Sequence, residues 1–135
     1  MRINKLIINT DGAARGNPGP AAIGVTLKDD AGNTVSRISR AIGVTTNNQA
    51  EYQAVIAGLA RAVTLGARNV ILRSDSELVV QQITGRYKVK NTVLRGLYVK
   101  VFKIASSLDS FSISYVPREH NYEADYLANQ ALDRP

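Results

Sequence analysis

The chain has 135 residues, enough for one domain spanning 1–135 that buries roughly two-thirds of its unfolded surface and needs no cross-link to stay folded. It has no cysteine, which excludes disulfide frameworks, cysteine-ligated zinc, iron–sulfur clusters and thiol nucleophiles, and no apolar run approaches the roughly 20 residues of a membrane-spanning helix. The net charge of +6 is local: Leu78 to Leu108 contains no acid and carries Arg86, Lys88, Lys90, Arg95, Lys100 and Lys103, while the rest of the chain is balanced.

Residues Arg2 to Asn9 read as a strand centred on Leu6-Ile7-Ile8, with Gly12 and then Gly16-Asn17-Pro18-Gly19-Pro20 expected to break it. The charged start is followed by too short an apolar stretch for a signal-peptide core, so a cytoplasmic protein without membrane association is expected. Ala22–Lys28 and Val35–Ile42 are further strands, joined across Asp29-Asp30-Ala31-Gly32-Asn33, which has hairpin-loop composition. Three consecutive strands suggest an antiparallel meander. From Asn48 apolar residues recur at helical spacing until Gly66, behind the capping sequence Thr45-Thr46-Asn47-Asn48. Val70-Ile71-Leu72 is a short buried strand and Glu77–Ile83 a short helix. Leu94, Leu97, Tyr98, Val101, Ala105 and Leu108 stripe a longer helix, with Lys100 and Lys103 off the stripe. Phe111–Val116 alternates as a last strand, Pro117 ends it, and Asn121–Leu132 is a closing helix. This order predicts an α/β fold: a mixed sheet, antiparallel first and parallel later, with helices on both faces.

Asp11 and Asp75 each follow a buried apolar triplet by three residues, so both are expected at carboxyl ends of strands. If the strands are parallel neighbours, the two carboxylates sit side by side where α/β sheets place ligands. Adjacent carboxylates repel unless a proton or cation is shared. A site built from oxygen alone suits Mg²⁺ or Mn²⁺ rather than zinc. Glu51 and Asp125, at the starts of two helices, could complete the cluster. Each acid also has a plainer reading: a turn residue for Asp11, a helix cap for Asp75, the third-position acid of a capping box for Glu51, and dipole stabilisation for Asp125. The six clustered cations fit either a solvated helix face or a polyanion-binding surface.

Taken in order, Asn9-Thr10-Asp11-Gly12, Arg15-Gly16-Asn17-Pro18-Gly19-Pro20, Thr45-Thr46-Asn47-Asn48-Gln49-Ala50-Glu51, Ser74-Asp75-Ser76 and Asn121-Tyr122-Glu123-Ala124-Asp125 resemble type 1 ribonuclease H, in its compact, reverse-transcriptase-like branch. The resemblance covers essentially the whole chain. It implies a mixed five-stranded ribonuclease H-like fold and a carboxylate set, Asp11, Glu51, Asp75 and Asp125, that is both catalytic and metal-binding, holding two Mg²⁺ with Mn²⁺ able to substitute. It further implies endonucleolytic hydrolysis of the RNA strand of RNA/DNA hybrids, leaving 3′-hydroxyl and 5′-phosphate ends. The physical logic is that one ion acidifies a water while the other neutralises the leaving 3′-oxygen, the pair lying about 3.5–4 Å apart.

By the same resemblance Asn17, Thr46, Asn47 and Asn48 would grip minor-groove edges, 2′-hydroxyls and phosphates of the substrate, and Arg86, Lys88 and Lys90 would contact the DNA strand. His120 would be a product-release residue, although it does not align cleanly with the loop histidine of longer members. The Trp-rich basic protrusion of some relatives is absent, and Glu77 replaces a neutral Gln. The expected partner is an RNA/DNA hybrid acted on by a monomer. Duplex RNA or single ribonucleotides embedded in DNA are the alternative substrates, and a non-catalytic binding module is the alternative class.

Overall fold

Alternation along the first strand puts Leu6, Ile8 and Thr10 on a fully buried face and leaves Ile7 and Asn9 half-buried on the other. The computed structural model describes residues 3–134, so the Arg2 end of the expected first strand lies outside the described residues. The strands are β1 (Lys5–Ala14), β2 (Gly19–Lys28), β3 (Thr34–Thr45), β4 (Asn69–Ser74) and β5 (Ser110–Tyr115). The helices are α1 (Asn47–Thr64), α2 (Glu77–Ile83), α3 (Thr92–Ala105) and α4 (Tyr122–Asp133), with a 3-10 turn at Arg118–His120 before α4. All five strands form one sheet in the order β3-β2-β1-β4-β5. The β1–β2 and β2–β3 pairs are antiparallel, and β1–β4 and β4–β5 are parallel, as the element order predicted.

Val25 points at Gly58 of α1, while its neighbour Gly24 faces Ala124 and Ala128 of α4, so these helices cover opposite faces of the sheet. The core lies on the α1 side, where Leu6, Ile8, Val25 and Leu72 meet Val55 and Leu59, and α3 packs on α1. Tyr52 is fully buried there, and its hydroxyl donates to Gln82 Oε1 at 2.6 Å, tying α1 to α2. No helix of the described residues is long and apolar enough to cross a membrane.

One boundary differs from expectation in a way that matters. Gly12 does not break β1: the strand runs on to Ala14, with Gly12 paired to Ile23 and Ala14 to Ala21. The glycine serves close approach, since a Cβ here would lie 2.2 Å from the Ala50 carbonyl carbon and 2.3 Å from the Glu51 nitrogen. Only a residue without a side chain lets the first turns of α1 rest on β1 at this height.

Candidate active site

The parallel ladder between β1 and β4 pairs Leu6 with Val70 and ends at Thr10 with Ser74, so Asp75 is the first residue beyond β4, while Asp11, expected at the end of its strand, lies inside β1 because pairing with β2 carries that strand on to Ala14. They emerge side by side. Asp75 is not the cap of α2: the Ser76 side chain accepts the Val79 N–H, and Ser74 Oγ accepts the Ser76 N–H at 3.0 Å. The carboxylate is therefore free of local duty. Glu51 likewise stands outside the capping box of α1, which is made by Thr46 and Gln49. Its Oε1 instead accepts the Gly12 N–H at 2.6 Å, carrying the carboxylate across to β1. Ligand atoms of Asp11, Glu51 and Asp75 all lie within 4.8 Å of one another.

Asp125, in the first turns of α4, lines the same cleft. Its Oδ1 is 3.2 Å from the Arg118 guanidinium and 3.3 Å from Asn129 Nδ2. The approach of α4 to the strand depends on Gly24, the cross-strand partner of Asp11: a Cβ there would lie 1.9 Å from the Ala124 carbonyl oxygen. Gly12 and Gly24 thus bring α1 and α4 down onto the strand pair from opposite faces, with Asp11 between them.

Burial pushes the Asp11 carboxyl up to about 10, with the Glu51 and Asp75 charges adding to the rise and Asp125 adding a hydrogen bond and its own charge. Burial also raises Glu51, to about 8; Asp75 adds to this, while the Gly12 N–H and the Arg118 charge oppose it. Acids this close and this buried do not all ionise without a shared cation. The donors are oxygens alone, with His120 lining a different hollow beside Asn9, Arg73 and Tyr122, so the site fits a hard divalent ion.

The polar lip of the cleft is assembled by cross-bonds. Asn47 Oδ1 accepts the Ala14 N–H at 2.9 Å, and Asn17 Oδ1 accepts the Asn47 N–H at 3.0 Å. This clasps the 15–18 loop to the start of α1, where Thr46 caps the helix and Asn48 is exposed. Lys88, Lys90 and Arg95 line a separate open groove with Tyr87 and Tyr98, and Arg86 is exposed next to it. No ion pair among the described residues involves any of the six clustered cations.

Arg118 and Tyr115, which also line the acid cleft, carried no sequence signal: no motif or periodicity separates them from ordinary surface residues. Gly24 could have been suspected only as a glycine inside a strand.

Residues 9–131 match the family model described as reverse transcriptase-like. The chain is 46% identical over 123 residues to ribonuclease HI of Halobacterium salinarum, covering 91% of this chain and 62% of that protein. It is also 46% identical over 130 residues to the bifunctional protein Rv2228c of Mycobacterium tuberculosis, covering 96% of this chain and 36% of that protein. The chain therefore spans about a third of the mycobacterial relative and under two-thirds of the haloarchaeal one. Among solved structures, the crystal structure of LC11-RNase H1 in complex with RNA/DNA hybrid is similar with a TM-score of 0.91 and 44% identity, covering 95% of this chain and 96% of that one.

Proposed function

The chain belongs to the type 1 ribonuclease H family, in its reverse transcriptase-like branch, and from that premise we propose that it is a metal-dependent endonuclease cleaving the RNA strand of RNA/DNA hybrids. In this reading residues 1–135 act as one ribonuclease H-like domain, working as a monomer. The observation that carries it is the meeting of Asp11, Glu51 and Asp75 within 4.8 Å just beyond the end of the β1–β4 ladder. Three acids drawn together from two strands and a helix, at the expense of their mutual repulsion, make a cation site rather than a stabilising feature.

Asp11, Glu51 and Asp75 would hold Mg²⁺, with Asp125 completing a two-ion set. When bound, the ions would supply Lewis acidity, activating a water and neutralising charge on the leaving 3′-oxygen, which leaves 5′-phosphate and 3′-hydroxyl ends. The chain's own residues do the rest. The Gly12 N–H orients Glu51, and Arg118 and Asn129 orient Asp125. Asn17, Thr46, Asn47 and Asn48 form a lip of small polar groups suited to a 2′-hydroxyl, which both donates and accepts and so marks RNA. Arg86, Lys88 and Lys90 would hold the DNA strand through its phosphates. His120, on the exposed turn before α4, would at most assist product departure, since the acid cleft is lined without it.

The test is cleavage of one sequence prepared as RNA/DNA, RNA/RNA and DNA/DNA, with the RNA end-labelled, in Mg²⁺ and in Mn²⁺, beside Asp75→Asn. Cutting confined to RNA in the hybrid, and lost in the variant, is the expected result. Intact hybrid in both metals would refute the proposal. Equal cutting of duplex RNA would refute its substrate assignment.

A further inference from the structure

Asn121 holds the N-cap position of α4, yet its side chain makes no cap bond. A cap would add about 1 kcal/mol to the helix. The side chain is turned into the sheet instead, and the residue is only 2% exposed. Its Nδ2 donates to the Thr10 carbonyl at 2.9 Å, and its Oδ1 accepts from Asn9 Nδ2 at 3.0 Å. Its backbone carbonyl accepts the Asp125 N–H at 3.1 Å, and its own N–H donates to the Arg118 carbonyl at 2.9 Å. A buried amide partnered at both ends is directional, because hydrogen bonds weaken steeply once distance or angle departs from the optimum.

Each end of this link leads straight to an acid. Thr10 precedes Asp11 in β1, and Asp125 stands one helical turn beyond Asn121. Other contacts at the start of α4 reach β2 or solvent rather than the strand that carries Asp11: Lys28 Nζ, at the end of β2, pairs with Glu123 at 2.7 Å. Gly24 sets how close the helix comes to β2, but packing against a glycine does not select where along the strand the helix begins. The Arg118 guanidinium pairs with Asp125 from a side chain that is 77% exposed, where solvent screens it and rotamers compete. We infer that Asn121 is a positioning residue: by tying the start of α4 to the Thr10 carbonyl, it fixes Asp125 against Asp11, so that the fourth carboxylate stays in reach of a cation held by the other three.

The inference rests on the metal-dependent site proposed above, and calorimetric titration with Mn²⁺ alone tests it apart from cleavage. Four proteins are compared: wild type, Asn121→Ala, Asn9→Ala and Ser39→Ala. Ser39 Oγ donates to the Leu127 carbonyl at 2.6 Å, so its loss removes a different tie between sheet and α4 and controls for loosening of the helix. Asn121→Ala is expected to weaken Mn²⁺ binding about tenfold, which corresponds to about 1.4 kcal/mol. Asn9→Ala, which only frees the amide to rotate, is expected to weaken it about threefold, and Ser39→Ala less than twofold even with a lower melting temperature. With hybrid as substrate, Asn121→Ala should lower kcat and leave KM unchanged.

Wild-type Mn²⁺ affinity in both Asn121→Ala and Asn9→Ala would overturn the inference. So would an equal loss in Ser39→Ala, which would make the role merely structural. If Asn121→Ala does not fold, Asn9→Ala against Ser39→Ala decides. A wild-type protein that binds Mn²⁺ but leaves hybrid intact would refute the proposed reaction while the titration still judges Asn121; one that binds no Mn²⁺ would overturn the inference itself.

Discussion

Replacing Gly24 by Ala asks whether the height of α4 above the sheet controls the site. An added Cβ would lie 1.9 Å from the Ala124 oxygen and 2.6 Å from the Ala128 nitrogen, where ordinary contact begins near 3.4 Å. The helix would have to retreat by roughly 1.5 Å, because both atoms are backbone and no rotamer change can relieve the overlap. Overpacking of this kind costs about 1–3 kcal/mol, and the rigidity of the obstacle puts Gly24→Ala at about 3 kcal/mol. In a domain of this size that lowers the melting temperature by about 10 °C. Ala124 and Ala128, both fully buried, would lose their contact with β2, and Asp125 would move away from Asp11 with them. Urea unfolding followed by circular dichroism gives the stability, and Mn²⁺ titration reads the site. A variant within 1 kcal/mol of wild type and with unchanged Mn²⁺ affinity would refute the argument that glycine at this position sets the approach of α4.

Gly96→Ala is the counterpart: nothing lies within 4 Å of a Cβ there, so this position inside α3 should gain about 1 kcal/mol in the same unfolding assay. Asp11→Asn and Asp75→Asn should each abolish turnover with the fold intact, and Asp11→Asn should raise the melting temperature of the metal-free protein by removing a buried carboxyl crowded by like charges; near wild-type cleavage by either would overturn the metal assignment. With Asp11 raised from 3.8 to about 10 and Glu51 from 4.5 to about 8, the metal-free folded chain holds protons that the unfolded chain has released, so its stability should fall as pH rises from about 4 to 8. Cations must displace those protons, and the melting-temperature gain from Mg²⁺ should therefore be larger at pH 8 than at pH 6; an equal gain would mean that the acids are already ionised. Replacing Arg86, Lys88 and Lys90 together by Gln should reduce the salt slope of hybrid binding by about 2–3, and an unchanged slope would remove them from the interface.

Much of the site could be read before any tertiary structure because a parallel ladder pairs strands residue for residue. Leu6-Ile7-Ile8 and Val70-Ile71-Leu72 are each followed by Asp at the same spacing, so matching the triplets aligns Asp11 with Asp75, as the ladder does. The meander, the helices and the mixed sheet followed from periodicity and turn chemistry, both local properties. The choice between a capping role and a cluster role for Glu51 and Asp75 was not local. It turned on whether neighbours took the caps, and Gln49 and Ser76 did.

Sequence by itself determined the antiparallel-then-parallel character of the sheet, the oxygen-only character of the candidate site and the concentration of unbalanced cations between Leu78 and Leu108, because composition, spacing and alternation act over a few residues at a time. Tertiary structure alone decided that Gly12 continues a strand, that Gly24 admits α4 beside Asp11, that Arg118 reaches Asp125, and that Asn121 gives up its cap to hold Thr10. Each of these depends on which helix crosses which face of the sheet and at what height. That is set by packing between residues as far as 112 positions apart or more, and no pattern along the chain encodes it one residue at a time.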